Sequence, residues 1–63
     1  MRIKELRESK NMTQKQLGAK IGTKQSTISG WELGDRTPSV RMLPQIAKAL
    51  GCRIEELFEE REK

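Results

Sequence analysis

The sequence has no histidine and no tyrosine, a single cysteine, Cys52, and only two aromatic residues, Trp31 and Phe58. Without histidine there can be no His-based catalytic triad, no Cys2His2 zinc spacing and no imidazole switch near neutral pH. One cysteine cannot close an intrachain disulfide, so nothing points to an oxidising compartment, and Cys52 is expected to serve as a small buried apolar residue. Two aromatics at core spacing do not form a base-stacking platform, which interleaves several exposed rings with basic side chains. No apolar run approaches the roughly 18 to 20 residues that span a bilayer, and Met1-Arg2-Ile3-Lys4 lacks a signal-peptide core.

What is present is small and basic. At 63 residues, the chain is expected to form one domain over 1–63, with a core over about 2–58 and an acidic end at 59–63. No nucleophile and base stand together, no glycine loop cradles a phosphate, and so short a chain hardly encloses a substrate. Neither an enzyme nor a site for a metal, cofactor or small-molecule substrate is therefore expected. The net charge is +4, but residues 1–54 carry 11 basic and 4 acidic side chains, a net of +7, and residues 55–63 a net of −3. A basic body raises the expectation of a polyanionic partner, nucleic acid or an anionic membrane surface. No helix pattern pairs a wide apolar face with a basic one, which disfavours the membrane.

Apolar spacing predicts five short helices and no strand, an all-α domain. Ile3 and Leu6 mark one over about residues 2–10. Thr13 is an N-cap candidate, and Gln16, three positions on, completes a capping box that starts a second helix ending at Gly22. Thr23 is read as the cap of a third helix, about Lys24 to Trp31, with Ile28 and Trp31 facing inward. Leu33-Gly34-Asp35-Arg36-Thr37-Pro38 reads as a loop. Ser39 is a candidate cap for a fourth helix through Leu50, closed by Gly51, in which Pro44 either kinks the helix or delays its start. A fifth runs from about Ile54 to Glu60. Met12, Leu17, Ile21, Ile28, Trp31, Leu43, Ile46, Leu50, Ile54, Leu57 and Phe58 form the expected core. Lys4, Lys10, Lys20 and Lys48 fall on different faces and are read as solvated, as are Glu55, Glu56, Glu59 and Glu60.

The stretch from Gln14 to Trp31 has helix-turn-helix spacing. Leu17, Ile21, Ile28 and Trp31 supply the facing apolar positions, Gly18 the small residue where the helices cross, and Gly22 the turn. On this stretch, and on Met12-Thr13-Gln14-Lys15-Gln16-Leu17, Gln25-Ser26-Thr27-Ile28-Ser29, Trp31-Glu32-x-Gly34-x-Arg36-x-Pro38-Ser39, Ile46-Ala47-Lys48-Ala49-Leu50-Gly51 and Glu55-Glu56-Leu57-Phe58, the chain resembles the Cro/cI-type, lambda-repressor-like family over about residues 2–58. The resemblance implies a five-helix domain that binds double-stranded DNA, usually as a repressor-type transcriptional regulator in the cytoplasm, associated with the nucleoid. It implies base reading by Lys24, Gln25, Ser26 and Ser29, the third helix entering the major groove. Backbone contacts are implied for Thr13, Gln14, Lys15, Thr27, Arg36, Thr37, Ser39 and Arg41. It matches Arg7 and Glu32 to a partly buried ion pair, against a phosphate role for Arg7, and it implies a two-fold dimer on a palindromic site. So short a chain leaves only a small interface, and a monomer or weak homodimer that pairs on DNA is expected. Gly30 stands where the family commonly has a long polar residue, Leu33 where Asn is usual and Arg53 where Ser or Thr caps. The alternative is a protein-interaction module such as the antitoxin of a toxin pair.

Overall fold

Thr13 and Gln16 satisfy each other's backbone. Thr13 Oγ1 accepts the Gln16 N–H at 3.0 Å, and Gln16 Oε1 accepts the Thr13 N–H at 2.9 Å. This reciprocal cap starts α2 (Gln14–Ile21) in a computed structural model that describes residues 1–58. Before it lies α1 (Ile3–Ser9), and after it come α3 (Gln25–Leu33), a 3-10 turn over Val40–Met42, α4 (Leu43–Leu50) and α5 (Ile54–Phe58). The expected acidic end at 59–63, and the extension of the last helix to Glu60, lie outside the described residues.

Asn11 ends α1. It adopts φ 55°, its N–H donates to Glu8 O at 3.0 Å, and the Met12 N–H donates to Arg7 O at 3.1 Å. Asparagine tolerates the left-handed conformation at the residue past a helix, and these two bonds satisfy carbonyls the helix leaves open. Gly22 ends α2 with φ 75°, where any side chain would be strained.

Two expected caps are corrected. Lys24, not Thr23, is the N-cap of α3, and no side chain bonds to the free amides there. The helix then continues two residues past Trp31, to Leu33, and Gly34 ends it. Ser39 precedes the 3-10 turn without a side-chain capping bond, its carbonyl accepting from the Met42 N–H at 2.9 Å. Pro44 delays the fourth helix rather than kinking it. It occupies the first turn of α4, where its missing N–H would have had no intrahelical partner. At α5, Glu56 Oε1 accepts the Arg53 N–H at 2.7 Å, half of a capping box formed without a serine or threonine.

Each helix contributes to one core. Ile3, Leu17, Ile28, Ile46, Leu50 and Leu57 are essentially inaccessible, and Ile21, Trp31 and Ala47 complete the buried set. Each such aliphatic side chain stabilises by roughly 1.5–3 kcal/mol relative to exposure. Met12, Leu43 and Cys52 are only partly buried against this core. Burial pushes the Cys52 thiol above its ordinary range, with the nearby Glu56 charge adding to the effect. Ile54 and Phe58 depart from the expected core, being 38% and 53% exposed. With Leu57 turned inward, helical geometry puts both of these on a flank rotated roughly 60–100° from it, away from the core. The Arg2 N–H donates to Leu57 O at 2.8 Å, joining the start of the chain to α5. Packing of α2 on α3 and α4, and of α1 on α3, holds the central pair between the outer helices.

Candidate nucleic-acid interface

The crossing of α2 and α3 fixes everything on their shared face, and Gly18 sets its closeness. A Cβ at position 18 would stand 2.7 Å from the Thr23 carbonyl oxygen, a backbone atom, while the Thr23 N–H donates to Gly18 O at 2.8 Å. No other residue allows this approach without a backbone shift. It brings the N-termini of both helices onto one side of the molecule.

Behind that side lies a buried ion pair. Arg7 Nε donates to Glu32 Oε2 at 2.7 Å and Arg7 Nη2 to Glu32 Oε1 at 3.1 Å, a two-point contact between side chains that are 10% and 4% exposed. Arg7 Nη1 also donates to Met12 O at 2.7 Å, which holds the link between α1 and α2. The hydrogen bond to Glu32 raises the Arg7 pKa above its ordinary value, against the opposing effect of burial. For Glu32 burial is the largest single influence and pushes the carboxyl up. Hydrogen bonds from Arg7 and Gln14 and the charges of Arg7 and Lys4 together outweigh it, leaving the group below its usual range.

The pair continues outward. Gln14 Nε2 donates to Glu32 Oε1 at 2.9 Å, and Gln25 Nε2 donates to Gln14 Oε1 at 3.3 Å. A chain of hydrogen bonds thus runs from the buried guanidinium to an exposed glutamine in the first turn of α3. Gln14 is half-buried and held from both sides, so its side chain orients Gln25 rather than standing free at the surface. An open groove of about 530 Å³ follows this line, with Arg7, Asn11, Thr13, Gln14, Lys15 and Gln25 along it. Asn11 was not among the expected site residues. Its sequence signal is the asparagine placed two residues before the Thr13 cap, where a short left-handed link between helices is needed.

Lys24, Gln25 and Ser26 are exposed at the start of α3, with Thr27 and Ser29 half-exposed beyond them. Arg36, Thr37, Ser39 and Arg41 are exposed on the loop and 3-10 turn and lie outside the groove lining. The expected backbone set therefore falls into a group at the start of α2 and a group after α3, with Thr27 by itself on α3. At the start of α2, the Gln14 and Lys15 amides have no hydrogen-bond partner among the described residues, because the cap engages only those of Thr13 and Gln16.

The chain is similar in sequence to known helix-turn-helix proteins. A profile of the family described as helix-turn-helix matches residues 3–57. An uncharacterized HTH-type transcriptional regulator of Archaeoglobus fulgidus is 42% identical over 57 residues, covering 90% of this chain and 81% of that protein. The uncharacterized HTH-type transcriptional regulator YgzD of Bacillus subtilis is 33% identical over 57 residues, covering 90% and 86%. The HTH-type transcriptional activator BcrR of Enterococcus faecalis is 35% identical over 57 residues, which are 90% of this chain but 28% of that protein.

Proposed function

The chain belongs to the Cro/cI-type helix-turn-helix family, and from that premise we propose that it binds double-stranded DNA sequence-specifically, with α3 in the major groove, as a repressor-type transcriptional regulator. The observation that carries this is the chain of hydrogen bonds ending at Gln25. Donating one amide hydrogen to Gln14 leaves Gln25 a second N–H and its carbonyl oxygen, the donor and acceptor that match adenine N7 and N6. Lys24 can donate to guanine or to phosphate, and Ser26 and Ser29 bond to either partner with little selectivity.

Backbone contacts would seat the domain around these readers. The unpartnered amides of Gln14 and Lys15 and the positive end of the α2 dipole favour a phosphate there. The Thr13 hydroxyl, accepting within the cap, still has a hydrogen to donate, and Lys15 adds charge. Thr27, Thr37, Ser39 and Arg41 supply further phosphate contacts. Two copies would meet on a palindromic site through α5, where exposed Ile54 and Phe58 share a flank. With so small a surface, pairing is weak in solution and completed on DNA, half-sites lying about one helical turn apart. A domain bound over a promoter blocks access sterically, hence the repressor sense.

Selection from a random duplex library at about physiological salt tests the proposal. An enriched site is expected, palindromic for a paired domain, with preference at one adenine-containing position lost in Gln25→Ala. Affinity should fall with salt at a log-log slope of roughly −0.9 per phosphate neutralised. No enrichment even at low salt would overturn DNA binding. Sedimentation as a tight dimer at nanomolar concentration would overturn weak pairing, and a reporter activated by the bound protein would overturn repression.

A further inference from the structure

The outward flank of α3 runs through Gln25, Ser26, Ser29, Gly30 and Leu33. Past Gln25 it has no long polar side chain. Ser29 ends one atom beyond its Cβ, Gly30 has no side chain, and Leu33 is apolar and 74% exposed. The second half of the recognition helix thus presents a gap where a reading group would project.

A residue from outside the helix fills that gap. The N–H groups of Asp35 and Arg36 both donate to Gly30 O, at 3.0 and 3.2 Å, which draws the loop after α3 back against position 30. The Arg36 side chain then converges on the place where a residue-30 side chain would begin. Its Cβ, Cγ and Cδ stand 3.8, 3.5 and 3.3 Å from an ideal Cβ on Gly30. The guanidinium follows Cδ, so it emerges beside position 30, one helical turn after Ser26. It makes no hydrogen bond or ion pair among the described residues, and the residue is exposed.

We propose that Arg36 reads a guanine in the second half of the recognition site, and that Gly30 is the positioning residue whose missing side chain seats the arginine stem on α3. The inference rests on the reading of the chain as a DNA-binding domain with α3 in the major groove. A planar guanidinium whose stem is seated beside the outward flank of a helix is suited to two-point contact with guanine O6 and N7. The sequence position of Arg36, in a loop beside Thr37 and Ser39, suggests a backbone contact, and the seat on Gly30 reassigns it to a base.

The test is library selection with the wild type, Arg36→Ala, Gly30→Met and the double variant. Methionine fills the seat with a flexible uncharged chain, and replacing a mid-helix glycine raises helix propensity, so Gly30→Met is expected to remain folded. The wild type should enrich a site with a guanine at one position. Both single variants should relax that same position by about five- to a hundredfold while keeping the preference that Gln25 reads. The double variant should be no worse than Arg36→Ala. Uniform weakening by Arg36→Ala across all sites, with the salt slope reduced by about one and no position relaxed, would assign a phosphate contact and overturn the proposal. So would an unchanged site preference in Gly30→Met. Failure of the wild type to enrich any site would instead overturn the DNA-binding reading and this inference with it.

Discussion

The two flanks of α3 are built on opposite principles. The inward flank holds Ile28, Trp31 and Glu32, which are 0%, 9% and, for the Glu32 side chain, 4% exposed, and each is fixed by apolar packing or by two-point bonding to Arg7. The outward flank holds an amide, two hydroxyls, a glycine and an exposed leucine, and its one oriented group, Gln25, is held from outside the helix by Gln14. Rigidity is supplied from behind and chemistry from in front. The hydrogen-bond line through Glu32, Gln14 and Gln25 joins the two. Substitutions on the inner flank should therefore act on stability and those on the outer flank on recognition.

The largest effect expected is at the ion pair. Arg7→Ala or Glu32→Ala strands the other charge in a buried site, at a cost of about 3–5 kcal/mol. For 63 residues the whole stability is roughly 3–9 kcal/mol, so either variant approaches unfolding at moderate temperature. The paired change Arg7→Met with Glu32→Leu should recover much of the loss, because two apolar groups leave no stranded charge. Thermal melts of the four proteins check this, and unchanged stability in both single variants would refute the pairing. Acid gives a second test. The Glu32 pKa is lower folded than unfolded. Its contribution is therefore complete above the unfolded value of about 4.3 and is lost as pH falls through the lower folded value. Glu32→Gln should be less stable near neutrality and lose less below pH 4 than the wild type does.

Gly18 gives the next effect, and its sign opposes helix propensity. Alanine is the better helix former by about 1 kcal/mol. Its Cβ, however, would stand 2.7 Å from the Thr23 carbonyl, which cannot swing aside as a side-chain end can. Overpacking of this kind costs about 1–3 kcal/mol. Gly18→Ala should lower Tm, at about 4–8 °C per kcal/mol for a domain of this size. Because α3 is set against α2 at this point, DNA affinity should fall with it.

Sequence pattern carried most of this arrangement, and its gaps have physical causes. The capping box at Thr13, the turn at Gly22, the close crossing at Gly18 and the Arg7–Glu32 pair are local or motif-bound, and all are present. The cap of α3 is Lys24 and not Thr23, since a threonine next to a helix looks like a cap whether or not its hydroxyl reaches an amide. Ile54 and Phe58 follow core spacing, yet burial depends on what lies opposite, and the flank they share is turned away from the core side that Leu57 occupies. The seat of Arg36 on Gly30 was illegible for a related reason. It joins a helix to the loop that folds back on it, and in sequence a glycine there reads only as a missing contact.

Gly30→Ala is the smallest of these effects and the sharpest complement to Gly18→Ala, because the same substitution on the same helix pair should act in the opposite direction. The atom nearest the new methyl is the Arg36 Cδ at 3.3 Å, part of an exposed flexible side chain that can give by a few tenths of an ångström. With little packing cost, the gain in helix propensity dominates, and stability should rise by about 0.5–1 kcal/mol. A Tm higher by a few degrees, measured beside the fall in Gly18→Ala, would establish that the outer flank yields where the inner one does not. A fall in both would mean that Arg36 is packed as firmly as the core, and the division between a rigid back and an adjustable front would have to be abandoned.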